Sequence, residues 1–154
     1  MTPGMSAHAD AEAPRTEIDT PFGRFRVAPH ERVRFPSGIP GFEDCREFAL
    51  LSPGDLGALS CLQSLAGPPA SFLVVDPRHV LPQYRCALGT TDLMRLGAGA
   101  DTLLLWLAIV SMDEAGQAYA NLRAPIVINP ERMLGYQVVP HNSLYPLRQP
   151  LASD

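Results

Sequence analysis

Proline and glycine recur along the whole chain and leave no room for a long helix. The 154 residues include 16 prolines and 12 glycines, and neither residue is well tolerated inside a helix. Between them lie short apolar segments, several of which alternate apolar and polar residues as strands with one buried face do. The pattern predicts roughly eight to ten short strands and one short helix near residues 90–97, in an all-β barrel or sandwich.

The first two alternating segments place four arginines on one face of a predicted hairpin. Phe22–Val27 and Glu31–Phe35 are expected to pair across a loop at residues 28–30. The arginines are Arg24, Arg26, Arg32 and Arg34. Like charges on adjacent strands repel by up to about 1 kcal/mol per pair. We therefore expect either nearby carboxylates or an acidic partner to neutralise them.

Lysine is absent, because all 12 basic residues are arginine. Arginine stays protonated in proteins, so chemistry that needs a neutral amine, such as a Schiff base or a pyridoxal phosphate linkage, is excluded. Phosphate loops that depend on a lysine are excluded as well. No pattern typical of catalytic or metal-binding residues takes their place, so we expect neither an enzyme nor a bound cofactor or metal.

The net charge of −4 arises at the two ends of the chain. Residues 21–153 carry eleven arginines and eleven acids and are therefore neutral, which argues against non-specific binding of nucleic acid. The number of cysteines, at positions Cys45, Cys61 and Cys86, is odd, and none belongs to a CxxC pair. This usage indicates reduced thiols in the cytoplasm rather than a disulfide framework.

The chain divides into a tail and one domain. Residues 1–19 are small and acidic and show no periodicity, which predicts a disordered tail. Residues 20–151 are predicted to form a single domain, long enough to bury a core without disulfides. The longest apolar run, Leu103–Val110, is far shorter than the ~20 residues of a membrane helix, so no membrane contact is expected.

Two segments stand out as candidate contact sites. Residues 36–41 contain two prolines and two glycines and must form a shaped loop, in which Ile39 and Phe42 are apolar anchors. Residues 121–129 place Pro125 at the head of an apolar strand, which favours a sheet edge because proline donates no ladder hydrogen bond. An edge strand can pair with the backbone of a partner. A strand that merely covers the core is an equal alternative.

Several segments together resemble one family, the flagellar assembly factor FliW. The matching stretches are Phe35–Glu43, Leu62–Ser64, Phe72–Pro77, Asn121–Asn129, Gln137–Val139 and Tyr145–Arg148. They occur in the family's order and spacing from about Thr20 to Leu151. Only the tail lies outside the resemblance.

The resemblance implies a small, antiparallel β-barrel-like protein of the cytoplasm. Members of this family bind newly made flagellin before its export. They also bind the translational regulator CsrA and prevent it from repressing flagellin mRNA. Such feedback works by exchange of partners and needs no covalent chemistry, which agrees with the absence of lysine and of catalytic patterns.

The two candidate segments supply the predicted partner contacts. These residues are Ile39, Pro40, Phe42 and Glu43 of the loop, and Asn121, Leu122, Arg123 and Pro125 of the presumed edge. The alternative is that some of them define the fold, above all the loop residues Gly38, Gly41 and Phe42. Two other functions stay open for a barrel of this kind, namely binding of a flavin-type ligand and binding of RNA. Both would use the arginine hairpin to contact phosphate.

Overall fold

The computed structural model describes residues 14–151, which form eleven strands and two short helices. The strands are β1 (Thr16–Thr20), β2 (Gly23–Val27), β3 (Val33–Arg34), β4 (Glu47–Leu51), β5 (Ser60–Ser64), β6 (Ser71–Val75), β7 (Leu105–Met112), β8 (Ala118–Ala120), β9 (Ile126–Asn129), β10 (Leu134–Gln137) and β11 (Gln149–Pro150). The helices are α1 (Pro77–Val80) and α2 (Thr90–Arg95). In the described part of the chain, neither helix is long and apolar enough to cross a membrane.

Strand β7 closes the sheet into a barrel of seven strands. One of its edges pairs with β6, while the other edge pairs with β9 through Leu105–Leu107 and then with β8 through Val110–Met112. The closed ring therefore runs β7-β6-β5-β4-β3-β10-β9, and β8 and β11 extend from it. The predicted all-β barrel is confirmed, although β3 and β10 run parallel and α1 adds a second short helix.

Aromatic residues fill the interior of the barrel. Phe35 and Phe48 are fully buried and meet edge to face, with ring centroids 5.0 Å apart, a preferred geometry for aromatic pairs. Leu62 and Ile126 pack into the same cluster from strands on either side. Members of this cluster come from both halves of the sequence, so it ties the early strands to the late ones.

Strand β7 is covered on both faces, as its unbroken apolar run predicts. Leu107 faces the barrel interior, whereas Ala108 and Val110 face outward into a second cluster. That cluster includes Tyr84 and Leu122, which come from segments lying over the outside of the sheet. The barrel thus carries its own outer layer around β7.

The predicted arginine hairpin is wrong. Strand β2 pairs with β1 in register from Thr16↔Val27 to Thr20↔Gly23, and β3 pairs with β4 and β10 instead. The chain between β2 and β3 forms a 3₁₀ turn at Pro29–Glu31. Alternation of apolar and polar residues shows which face of a strand is buried, but it does not show which strand pairs with it. In addition, all of β1 except Thr20 lies in the segment that was predicted to be a tail.

The predicted boundary between tail and domain is also too late in the chain. Thr16–Thr20 form β1, so residues 16–19 belong to the folded unit. Ile18 lies opposite Phe25 in the ladder, which places two apolar side chains on one face of this small sheet. Residues 1–13 of the predicted tail lie outside the described residues.

Of the two alternatives for residues 121–129, the edge strand is wrong and the strand that covers the core is observed. Strand β9 pairs with β10 on one side and with β7 on the other, so it has no unpaired edge. Pro125 precedes the strand, and its carbonyl oxygen accepts a hydrogen bond of 2.9 Å from the backbone N–H of Val138. Proline's missing donor is harmless at this position, because the ladder begins one residue later.

Candidate protein-binding surface

The loop rich in glycine and proline folds back on itself. The backbone N–H of Phe42 donates to the carbonyl of Ile39 at 2.6 Å, and the N–H of Gly38 donates to the carbonyl of Phe35 at 2.8 Å. Gly38 has a φ of +64°, and a Cβ there would lie 2.6 Å from the Cα of Glu43. Only glycine fits such a close backbone approach in a left-handed conformation.

The two apolar anchors of this loop have different environments. Ile39 is buried at 2% exposure, whereas the ring of Phe42 remains 41% exposed. Phe42 packs edge to face on Phe72, with ring centroids 5.0 Å apart. Pro40, at the tip between them, is exposed. Ile39 therefore anchors the loop in the core, while Pro40 and Phe42 face outward.

Glu43 stays charged at the surface beside these apolar groups. Its carboxylate accepts a hydrogen bond of 3.0 Å from the backbone N–H of Gly41. This bond favours the ionised form and holds the pKa of Glu43 below its usual value. The loop thus presents an aromatic ring and a fixed negative charge side by side.

The end of β10 lies against the loop. Ser37, Pro40, Glu43, Tyr136 and Val139 line a shallow cavity of about 150 Å³ between the two segments. Val139 is 60% exposed although its side chain is apolar. We use the name loop surface for Pro40, Phe42, Glu43, Tyr136 and Val139. The last two were not predicted from the sequence, because nothing in the sequence says that β10 ends beside the loop.

Tyr136 joins the loop surface to helix α2. The guanidinium of Arg95 lies over the Tyr136 ring, 4.7 Å from its centroid, and Arg95 Nη1 donates a hydrogen bond to the Tyr136 hydroxyl. A guanidinium stacked on an aromatic face is a favourable arrangement. It holds the Tyr136 ring in place at the rim of the shallow cavity.

The segment that was a candidate edge is covered by its neighbours instead. Leu122 is fully buried and Pro125 is buried too. Asn121 Oδ1 accepts hydrogen bonds from the backbone N–H groups of Arg123 at 3.0 Å and Ala124 at 3.1 Å. This is an Asx turn, in which the side chain takes the place of a backbone acceptor. Asn121, Leu122 and Pro125 therefore shape the fold.

Hydrogen bonds connect this segment to the loop surface through β10. Gln137 Nε2 donates to the carbonyl of Ala124 at 3.0 Å, and Pro125 accepts from Val138 as described above. The side chain of Gln137 is buried, so its amide needs this acceptor. These two hydrogen bonds fix Gln137 and Val138, and thereby position Val139, which follows them in the chain.

Arg123 belongs to a different part of the surface. It is exposed, and its Nε donates to the carbonyl of Tyr145 at 2.9 Å. The Tyr145 ring packs on that of Tyr84, with centroids 4.6 Å apart. Burial raises the pKa of Tyr84 well above its usual value, and its hydroxyl donates to the carbonyl of Leu122 at 2.9 Å. Arg123 thus fastens the C-terminal segment to the barrel.

The four arginines do not form a common phosphate site. Arg24 Nε lies 2.9 Å from Asp19 Oδ1, and Arg32 Nη1 lies 2.8 Å from Glu47 Oε1. Two of the four are therefore neutralised by carboxylates, as the repulsion argument requires. Because β2 pairs with β1 and β3 pairs with β4 and β10, the shared arginine face on which the flavin and RNA alternatives depended does not form.

The cysteines contribute no site in the described part of the chain. Cys45 and Cys61 are buried, Cys86 is half-buried, and all three are free thiols. Burial raises the pKa of Cys61 and of Cys86, so both are poor nucleophiles at neutral pH. Across residues 14–151, no group of three His, Cys, Asp or Glu side chains is arranged to hold a metal ion.

Comparisons with known proteins agree with the fold and with the motifs. The sequence model described as FliW protein matches residues 17–151. A flagellar assembly factor FliW from Natranaerobius thermophilus is 32% identical over 135 residues, which cover 86% of this chain and 89% of that protein. A second, from Geotalea uraniireducens, is 34% identical over 132 residues, covering 85% and 80%.

A solved structure leads to the same assignment. The crystal structure of the flagellar assembly factor FliW superposes with a TM-score of 0.80 at 31% identity, and the match covers 90% of this chain and 98% of that one. Family profile, relatives and structure all span nearly the entire described region. The chain belongs to the FliW family of flagellar assembly factors.

Proposed function

We propose that this chain binds flagellin in the cytoplasm and antagonises the translational regulator CsrA, which couples flagellin synthesis to export. Membership of the FliW family supports an assembly role. The observation that carries the proposal is the loop surface, where Phe42 and Val139 are 41% and 60% exposed beside the charged Glu43. Exposed apolar groups next to a fixed charge are typical of protein-binding surfaces.

The proposed contact residues are a revised set. Pro40, Phe42 and Glu43 remain from the sequence-based hypothesis, and Tyr136 and Val139 join them. Ile39 anchors the loop in the core, and Pro125 accepts a hydrogen bond from Val138 at the end of β10. Asn121 and Leu122 shape the fold elsewhere, in an Asx turn and in the cluster around β7. Arg123 would contact only a partner large enough to reach the C-terminal segment as well.

Partner exchange needs no reaction, only linked binding. If flagellin and CsrA exclude each other, flagellin at a hundred times its dissociation constant weakens CsrA binding about a hundredfold, or ~2.7 kcal/mol. Export then lowers the flagellin concentration and releases the chain for CsrA. The proposal assigns the protein no catalytic role and no cofactor.

Calorimetry of the full chain with monomeric flagellin from the same organism tests the proposal. Phe42→Ser is expected to weaken binding about tenfold or more, since truncating an aromatic hot spot of an interface typically costs about 2 kcal/mol or more. Leu144→Ser is the matched control, because Leu144 is 98% exposed and lies outside the loop surface. Equal loss in both variants would count against the loop surface.

A second titration addresses CsrA. Flagellin binding measured with CsrA already present is expected to be weaker, as mutual exclusion demands. Tight flagellin binding unchanged by CsrA would retain the assembly role and rule out simple competition. No flagellin binding by a folded sample would refute the proposed function.

A further inference from the structure

One end of the barrel opens into an apolar groove. Here β4 and β9 end and β3, β7 and β10 begin. The groove encloses about 320 Å³, and its apolar lining includes Leu50, Leu51, Leu105, Ile128 and Met133. We call it the mouth groove. Its residues differ from those of the loop surface, and the mouths of β-barrels are common binding sites.

Apolar surface continues from the groove to the outside. Leu105 at its edge is 37% exposed, and Leu103, two residues earlier, is 84% exposed. Met133 forms part of the wall with a φ of +51°, a left-handed conformation that a side chain other than glycine rarely adopts. Its carbonyl accepts a 2.9 Å hydrogen bond from the backbone N–H of Arg34, which fastens the turn to β3.

The polar rim of the groove carries one arginine and one carboxylate that is already paired. Arg26, His30 and Glu31 line this side. The carboxylate of Glu31 accepts from the backbone N–H of Ala28 at 2.8 Å and pairs with Arg15 at 3.3 Å. Within residues 14–151, Arg26 takes part in no ion pair. Glu17 lies opposite Arg26 in the ladder of β1 and β2, but its carboxylate pairs with Arg24 at 3.8 Å. Within this part of the chain, an incoming carboxylate would therefore meet a guanidinium that has no ion-pair partner, beside an apolar cleft.

We infer that the mouth groove is a second protein-docking surface, which takes the apolar side chains of an amphipathic segment and pairs Arg26 with an acidic residue next to them. The exposed Leu103 beyond the cleft and Leu105 at its edge favour a peptide over a small ligand, because a helix laid across the groove covers both. Charge complementarity selects an acidic segment over a basic one. This inference is independent of flagellin binding at the loop surface.

Two synthetic peptides test it with the full chain. Both carry leucines at i, i+3, i+4 and i+7, with flanking glutamates in one and flanking lysines in the other. We expect the glutamate peptide to bind more tightly and to shift the NMR signals of the Leu105 and Met133 methyl groups. Arg26→Glu is expected to reverse this preference. Arg46→Glu is the control and should leave the preference unchanged, because Arg46 is exposed and lies before β4, at the far end of that strand from the groove.

Apolar contact is tested on the same strand. Leu105→Gln is expected to weaken binding of the glutamate peptide about tenfold. Met112→Gln is the control and should have no effect, because Met112 is 58% exposed at the other end of β7.

An unchanged affinity of the Leu105→Gln variant for the glutamate peptide, or methyl shifts confined to the loop surface, would overturn the inference. So would binding of a fatty acid but of neither peptide. Nuclear Overhauser contacts between Met5 and Leu105 in the free chain would also refute it, because the chain's own N-terminal residues would then fill the groove.

Discussion

The ring of Phe35 occupies the space that a side chain at position 135 would need. A Cβ on Gly135 would lie 2.4 Å from Cζ of Phe35 and 2.5 Å from its Cε1. Gly135 is in β10 and Phe35 directly follows β3, the one strand that pairs in parallel with β10. The glycine lets the tip of this buried ring approach the backbone of a neighbouring strand closely.

We expect Gly135→Ala to destabilise the protein by about 1–3 kcal/mol, because the added methyl group overpacks the core. Urea unfolding measures the change in the free energy of unfolding. Combining the substitution with Phe35→Leu should recover part of the loss from the alanine, since the smaller side chain makes room. A double variant that loses the full sum of both single effects would show that the two residues do not compete for space.

Asn129 is expected to stabilise the chain that follows α2. Its Nδ2 donates to the carbonyl oxygens of Leu96 at 2.8 Å and Gly97 at 3.3 Å, and the side chain is buried. Asn129→Ala should lower the free energy of unfolding by about 1–3 kcal/mol, because the carbonyl oxygens of Leu96 and Gly97 lose this donor. Hydrogen exchange should accelerate around residues 93–98. The exposed Asn142→Ala serves as control, and equal effects of both substitutions would contradict this role.

Leu122 is expected to act through stability and not through partner contact. It is fully buried, so Leu122→Ala should cost about 2–5 kcal/mol, whereas Leu144→Ala at an exposed position should stay within about 0.5 kcal/mol. Thermal unfolding compares the two. A Leu122→Asp variant with an unchanged melting temperature would show that this side chain faces solvent after all.

Asp113 should make stability depend on pH at the acidic end. The hydrogen bond from the backbone N–H of Gln117, at 2.9 Å, and one from the Tyr119 hydroxyl, at 3.1 Å, hold the pKa of Asp113 below its usual 3.8. A lowered pKa contributes stability above the unfolded value, and this is lost as the pH falls through the folded value.

The advantage of the wild type over Asp113→Asn should therefore be complete near neutrality and shrink below the ordinary aspartate value of 3.8. Urea unfolding at several pH values measures this difference. Asp55→Asn, in an exposed turn, is the control. An advantage that grows on acidification would contradict the sign of the shift.

Strands bounded by clear turn residues were predictable to within a residue or two. The observed β4, β5 and β6 occupy apolar segments that are separated by turn residues at Pro53–Gly54 and Gly67–Pro69. Gly116 adopts a φ of +86° in the turn after β7, a conformation that glycine adopts readily. These features depend on local chemistry. Alternation of apolar residues and the backbone freedom of glycine act over a few residues, so the sequence carries them directly.

The candidate surface was predictable only in part. The loop at residues 36–43 is shaped as its composition requires, and Pro40, Phe42 and Glu43 are exposed on it. Val139 and Tyr136 were missed, because their place beside the loop depends on β10 running next to β3. That parallel pairing joins residues about a hundred positions apart, and no local pattern specifies it.

The amino-acid sequence by itself determined the strand-rich class, the shaped loop, the exclusion of lysine chemistry and, through its motifs, the FliW family. Only the tertiary structure decided which neighbour each strand has and which apolar residues face water. Leu122 and Val139 are both apolar, and each comes two residues after the end of a strand, yet Leu122 is buried and Val139 is 60% exposed. The physical reason is that burial depends on what packs over a residue, and here the C-terminal segment covers the first and leaves the second open.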